Sequence, residues 1–364
     1  MSRTHIDLLL IVLLALWVVP VHAEPLDLRQ HLLTDPDLIV DGTLDQRYRT
    51  ASTGRNNQVY TQTLEADVQH SISFHHVRQG TVFLQEMIET PPDQAGSTKT
   101  ALRAGEAYVS YRLPIMTDTD SVVSVKVGQF PIAAGLTPVY DTHLQIMQTL
   151  YDQGLGVRLD PGIGVDGRFY GLLDYKATLT SGTGADRYTP DHRVVAFRLG
   201  HLFATDVGAF NVGGSLLSGK LPNTQVNPVT GFSPALPPSG YVTASSGYVT
   251  KTRIMGDCQW TYQRYTLRGE VMTGADDANT VYGYFAEGEY RFAQGLTAVV
   301  ARKFWSYGLQ DSTSADTAGG INVDYGNNLS LRTLYEERLD TPLSDGAHFS
   351  RIRHLFTVQA LVRF

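Results

Sequence analysis

Few side chains in this chain stand at spacings that do chemistry. His70, His75 and His76 come nearest to a metal-ligand group, but they straddle a strand end and its turn with no carboxylate at ligand spacing. Gly213-Gly214-Ser215 lacks the Gly-x-Ser-x-Gly turn that exposes a serine nucleophile, and no Ser/His/Asp grouping surrounds it. Cys258 is the one cysteine, so a disulfide framework is excluded, and without a partner it reads as a small strand side chain. There is no Cys-x-x-Cys-His run to attach a c-type haem. The expectation is no enzyme, no metal and no cofactor. What remains are charges at alternate positions: Lys126, Arg168, Lys176, Arg198, Arg268, Arg291, Arg332, Arg351 and Arg353. The acids Glu65, Asp67, Glu106, Asp174, Glu270, Glu287, Glu289 and Glu336 stand at equivalent places. Such residues can line a wall that guides ions, although any single one reads first as a solvated or paired wall charge.

The elements that position these charges must come from an unusual composition. Of 364 residues only 18% are charged and 42% are hydrophobic, with 34 glycines and 19 tyrosines. Soluble domains carry about 25% charge. No run of roughly 18 apolar residues follows the amino-terminal region, which excludes a polytopic helical membrane protein, and so ordered a composition excludes a disordered chain. The net charge of −7 and the absence of a Lys/Arg-rich run argue against a nucleic-acid partner. At the amino terminus, Arg3 precedes an apolar run from Leu8 to Val19, then Pro20 and Val21-His22-Ala23. This pattern predicts a signal peptide over 1–23, cleaved before Glu24; a membrane anchor would need a longer run. Residues 24–35 then form a short periplasmic segment.

From there almost to the carboxy terminus the chain alternates with period two in segments of about ten residues, the signature of a transmembrane barrel strand. Ile352, Phe356, Val358, Ala360, Val362 and Phe364 share one face of the last segment, and Arg351, Arg353, Thr357, Gln359 and Arg363 the other. Tyr282, Tyr284, Ala286, Gly288, Tyr290 and Phe292 oppose Glu287, Glu289 and Arg291 in the same way. Strands are expected over 36–52, 57–74, 79–90, 99–113, 120–130, 154–161, 165–180, 192–203, 209–221, 248–262, 265–275, 280–292, 296–308, 318–325, 329–339 and 350–364. The tight connections at 293–295 and 326–328 fall on one side, and the long polar ones, including 131–153 and 222–247, on the other. A soluble sandwich has no reason to sort its loops this way. Aromatic residues add a third pattern: Trp260, Tyr262, Tyr265, Tyr290, Phe292, Tyr325 and Phe364 at the inner ends, and Phe304, Trp305, Tyr307 and Tyr335 at the outer ends. The fold class is therefore an all-β transmembrane antiparallel β-barrel of about sixteen strands over 36–364, with short periplasmic turns and longer extracellular loops.

On these residues the chain resembles a bacterial outer-membrane porin. The alternation Phe356, Val358, Ala360, Val362, Phe364 resembles the carboxy-terminal assembly signal of such proteins, and Val127-Gly128-Gln129-Phe130-Pro131-Ile132-Ala133-Ala134-Gly135-Leu136 is similar to a strand-end motif of the phosphate-selective porin O/P family. The resemblance implies an outer-membrane lipid environment in a Gram-negative cell, insertion by the barrel-assembly machinery and a homotrimer. It also implies passive diffusion of small hydrophilic solutes or ions, with anions such as phosphate among them. Porins commonly fold the third outward loop into the pore, which makes 131–153 a candidate constriction loop. Within it Leu144, Met147, Leu150 and Tyr151 recur at helical spacing after Asp141 and Thr142. The expectation is that this face packs on the wall while Asp141, His143 and Asp152 meet water; an exposed lid helix is the alternative. Two other classes stay open. A barrel sheath could hold a partner such as a multihaem cytochrome, and an outer-membrane hydrolase would use a smaller barrel than sixteen strands make.

Overall fold

The computed structural model describes residues 38–52, 56–74, 77–90, 101–113, 121–140, 145–184, 192–224, 247–308, 313–341 and 351–363, with the backbone alone for many positions in the first four strands and at the ends of the last two. The segments 1–23 and 24–35, with Asp141, His143, His75, His76 and Phe364, lie outside the described residues, as do the side chains of His70, Arg351 and Arg353.

Sixteen strands occupy the described residues: β1 Leu38–Ser52, β2 Asn56–Phe74, β3 Val77–Thr90, β4 Ala101–Arg112, β5 Val122–Pro131, β6 Leu159–Phe169, β7 Leu173–Thr180, β8 Val194–Thr205, β9 Gly208–Pro222, β10 Tyr248–Tyr262, β11 Tyr265–Asp276, β12 Asn279–Ala293, β13 Leu296–Ser306, β14 Thr313–Tyr325, β15 Leu329–Thr341 and β16 Arg351–Arg363. Each pairs with its sequence neighbours, and β1 pairs antiparallel with β16, closing the barrel. Closure satisfies the ladder at what would otherwise be two exposed edges. Among the described residues no helix is long and apolar enough to cross a membrane.

The expected spans match these strands to within a few residues except around β6 and β7. A break at 162–164 separates the expected spans 154–161 and 165–180, yet those residues continue β6 past Pro161, which sits opposite Gln129. The turn falls instead at 170–172, where Tyr170 takes φ 50°. Proline tolerates this place because it is near the start of its strand, where the lost N–H costs least. β14 likewise begins at Thr313 rather than 318.

The two faces of the sheet are inverted relative to a soluble protein. Along β8, Val195, Phe197 and Leu199 are 42–57% exposed while Val194, Ala196 and Arg198 are 0–1% exposed. Apolar side chains in that position need lipid, and the polar ones belong to an interior. On β16 Phe356 and Val362 face out, Val358 and Ala360 share their parity, and Leu355, Thr357, Gln359 and Leu361 are buried inside. Rings collect at the short-turn end: Phe203 stacks on Phe210 at 5.2 Å, Trp260 on Tyr262 at 6.1 Å, and Tyr265 meets Tyr290 at 4.9 Å. Tyr284 and Phe304 stack at 5.8 Å near the opposite end. Trp305 does not join them. Its odd parity in β13 turns it inward, where it is fully buried, and Tyr307 is buried as well.

Cys258 shares outward parity with Ile254 and Trp260 and is exposed. In proteoliposomes it should therefore react with a lipid-soluble maleimide and resist a charged, water-only one. Equal labelling by both reagents would contradict the assignment of faces.

Candidate functional site

Residues 132–158 connect β5 to β6, and the Ile132 N–H donates to the Arg158 carbonyl at 3.1 Å, so the connection leaves and re-enters the sheet at one place. Among its described residues, 132–140 and 145–158, the helix expected along it reduces to a single turn, α1, Tyr151–Gly154. Its apolar face survives without the helix. Leu136, Met147, Leu150, Tyr151 and Leu155 are all buried, in one cluster with Met255, Met272, Val281, Phe285 and Trp305. Those partners belong to the inward set of β10 to β13. A segment packed on the inward set of a closed barrel lies in its lumen. Each fully buried Leu or Met contributes roughly 1.5–3 kcal/mol, so this seam holds the segment firmly.

Polar contacts fix its register. Both oxygens of Glu270 are used: the N–H of Leu136 donates to one at 3.3 Å and the N–H of Leu150 to the other at 3.1 Å. One inward carboxylate thus satisfies two backbone donors that burial would otherwise leave unpaired. Gly135 makes the approach possible, because it takes φ 57° and any Cβ there would overlap Glu270 Oε1. Its N–H donates to Ser215 Oγ at 3.0 Å. At the end of α1, Arg253 donates to the Gly154 carbonyl at 2.9 Å and Lys251 to the Leu155 carbonyl at 3.1 Å, meeting acceptors that a helix terminus leaves open. Arg253 is itself ion-paired with Asp276.

Asp152 departs from expectation. It does not face open water; Lys303 Nζ donates to its Oδ2 at 2.8 Å, and a chain of charges continues to Asp316 at 3.6 Å and Arg338 at 2.8 Å from Asp316. Burying the seam beside α1 forces this, since a carboxylate there must be paired. Further along, Tyr140 donates to Glu287 at 3.1 Å and lies under the Arg268 guanidinium at 4.3 Å. Arg47 and Arg332 both reach Gln145, at 3.3 and 3.4 Å.

Among the described residues, the wall charges named from the sequence take inward parity. Lys126, Arg168, Lys176, Arg198, Arg268, Glu287, Glu289, Arg291 and Arg332 lie on the inward set, and Arg351 and Arg353 share it through pairing with Asp340 and Arg338. They do not make one ring. Arg198 is locked to Asp257 by two hydrogen bonds of 3.0 and 2.5 Å. Arg268 donates to Glu287 at 2.6 Å and Glu289 at 2.8 Å. Arg168 pairs with Asp174 at 2.8 Å near the short-turn mouth. Sequence reasoning overlooked Lys251, Arg253, Asp257, Lys303 and Asp316, which the same parity rule reaches, and Tyr140, which no local pattern marks.

Opposite the loop, against β4 to β7, an open cavity of about 320 Å³ remains. Glu106, Lys126, Asp166 and Lys176 line it from the wall, with Thr137 to Tyr140 and Arg158 on the other side. Lys126 pairs with Asp166 at 3.1 Å, and Lys176 donates to the Pro138 carbonyl at 2.6 Å. Three cationic and two anionic side chains thus share one polar space. Among the described residues no group of three or more His, Cys, Asp or Glu is placed to hold a metal.

No family model and no curated protein sequence matches the chain. Solved structures do. An anion-selective porin from Comamonas acidovorans aligns with TM-score 0.62 and 10% identity over 90% of this chain and 99% of its own. OmpF of Salmonella typhi, solved in complex with daunomycin, aligns with TM-score 0.62 and 12% identity over 90% and 97%. An in-vitro folded OmpT, an outer membrane protein of Vibrio cholerae in a trimer form, aligns with TM-score 0.60 and 10% identity over 90% and 99%. At such identities the likeness is one of fold: with its apolar exterior and closed ladder, this chain has the fold of the porin barrels that reside in bacterial outer membranes.

Proposed function

We propose that this protein is a porin with an off-centre passage, through which small hydrophilic solutes diffuse passively. One observation carries the reading: the 132–158 segment is pinned against β8 to β15 and leaves polar space against β4 to β7. A segment fixed on one side narrows a lumen without closing it. The passage then lies between Thr137 to Tyr140 and the wall bearing Glu106, Lys126, Asp166 and Lys176. Cations and carboxylates facing across it set up a transverse field with a mild preference for anions, three charges against two. That excess, with the similarity of Val127 to Leu136 to the phosphate-selective O/P motif, supports anions such as phosphate among the solutes. The wall charges then divide by position. Lys126 and Lys176 guide ions, Arg168 and Arg291 stand at the inner mouth, and Arg198, Arg268, Glu287 and Arg332 brace the wall and loop. A homotrimer, inserted through the signal at Phe356 to Phe364, is the assembly that fits the fold. A sheath filled by a partner protein fits less well, because the chain's own loop already occupies the space.

Single-channel recording of the refolded mature chain in a planar bilayer, under a KCl gradient and with phosphate compared to chloride, tests this. Stepwise conductance smaller than that of an open sixteen-stranded barrel is expected, with a reversal potential on the anion side. A heat-modifiable barrel that never conducts would overturn it. Lys126→Glu changes the local charge by two units. With roughly 1 kcal/mol per unit charge at about 4 Å in water, the reversal potential should cross toward cations. No movement on that substitution would take Lys126 out of the passage.

A further inference from the structure

Three tight turns at the short-turn end, 263–264, 294–295 and 326–328, enclose a cavity of about 520 Å³ at the barrel rim. Backbone bonds tie the turns together: the Arg291 N–H donates to the Arg264 carbonyl at 2.9 Å and the Asp324 N–H to the Gly295 carbonyl at 2.7 Å. This brings two guanidinium-bearing residues to one wall of the cavity. Arg291, in register with Thr297, has the inward parity of Glu287 and Glu289, so it stands on the lumen side of the rim. Arg264 joins from the neighbouring turn and donates to the Phe292 carbonyl at 3.2 Å.

The two cations are not spent on ion pairs. Among the described residues neither Arg264 nor Arg291 enters an ion pair, in contrast to Arg198, Arg253, Arg268 and Arg338 deeper in the barrel. Asp324 lines the same cavity and its Oδ1 accepts from Ser330 at 2.6 Å, so one carboxylate stands against two guanidinium groups. The space therefore carries a net positive charge. Its other polar lining, Gln294, Thr297 and Asn327, brings neutral donors and acceptors and adds no charge.

We propose that this cavity at the inner mouth is a binding site for a small oxyanion, a carboxylate or phosphate group held by Arg264 and Arg291. Guanidinium forks match such groups with paired hydrogen bonds, which gives a planar or tetrahedral oxyanion an advantage over chloride. The occupant is a diffusible solute rather than a lipid headgroup, because Arg291 faces the lumen and a lipid phosphate would approach from the opposite face. The site is separate from the narrow passage beside Lys126, and it stands whether or not the barrel conducts.

Calorimetric titration of the refolded full barrel in neutral detergent with inorganic phosphate, at low ionic strength, tests it. Saturable binding is expected, weakened about tenfold or more in Arg264→Gln/Arg291→Gln and unchanged in Arg302→Gln, which removes a guanidinium from the outward face of β13. Arg291→Lys keeps the charge and loses the fork, so it should fall between, and heat-modifiability on gels verifies that each variant is folded. Affinity unchanged in the double variant, or lost in Arg302→Gln alone, would overturn the assignment. So would competition from phosphatidylglycerol in mixed micelles, which would put the anion on the outer face. Since the readout is equilibrium binding, a silent bilayer recording leaves this result standing.

Discussion

Replacing residues 134–156 by a short Gly-Ser linker is expected to raise the single-channel conductance several-fold and, if the proposed passage discriminates phosphate from chloride, to weaken that discrimination. The two ends are already joined by the 3.1 Å hydrogen bond from Ile132 to Arg158, so a short linker spans the gap without straining β5 or β6. What the replacement removes is the apolar seam of Leu136, Met147, Leu150, Tyr151 and Leu155 that fills one side of the lumen. Water then replaces it and the cross-section widens. The replacement also strips partners from Glu270, Lys251 and Arg253, which become solvated in the wider lumen rather than stranded. Glu270→Gln is a gentler probe of the same idea. It weakens two charge-assisted bonds, each on the order of 1.5–3 kcal/mol, and should make the channel noisier rather than wider. Wild-type conductance in a folded barrel with 134–156 replaced would mean that the segment does not narrow the passage.

Arg198→Met is expected to destabilise the barrel by about 3–5 kcal/mol, the cost of leaving a buried carboxylate without its partner. The side chains of Arg198 and Asp257 are each 1% exposed and joined by two hydrogen bonds across β8 and β10, which are separated in the sheet by β9. The guanidinium lies over Gly213 on β9, where a Cβ would overlap it, so a bare backbone opens the route between the two strands. Unfolding in urea, followed by the mobility shift between folded and unfolded forms on gels, gives the midpoint. The double change Arg198→Met/Asp257→Leu should recover most of the loss, because a buried pair replaced whole by apolar groups is close to neutral. If the double variant is no more stable than the single one, the pair is not what holds these strands.

Strand positions and their two faces were legible in the sequence because both are local properties. Period two follows from the geometry of an extended chain, and a residue such as Phe197 or Arg198 declares its side by its immediate neighbours. The errors came from local rules as well: a strand break was set at 162–164, where Gly162 and Gly164 follow Pro161, inside what is one strand, and Trp305 read as a membrane-interface ring because its position near a strand end was weighed above its parity. Parity would have placed it inside.

The path of 132–158 was legible only as an apolar face looking for a partner. Which partner it takes is decided by contacts across great distances in the chain. Gly154 meets Arg253 from 99 residues away, Leu150 meets Glu270 from 120, and Tyr140 meets Glu287 from 147. No window of sequence contains both members of such a pair. The same holds for Asp152, which sequence alone leaves free to face water and which barrel closure sets beside Lys303. Sequence by itself therefore determined a membrane-spanning barrel with a polar interior, since alternation and loop length are set residue by residue. Tertiary structure alone decided which side of that interior is filled, which charges are spent on holding it and which are left facing the passage, because those depend on closure of the sheet around its own third loop.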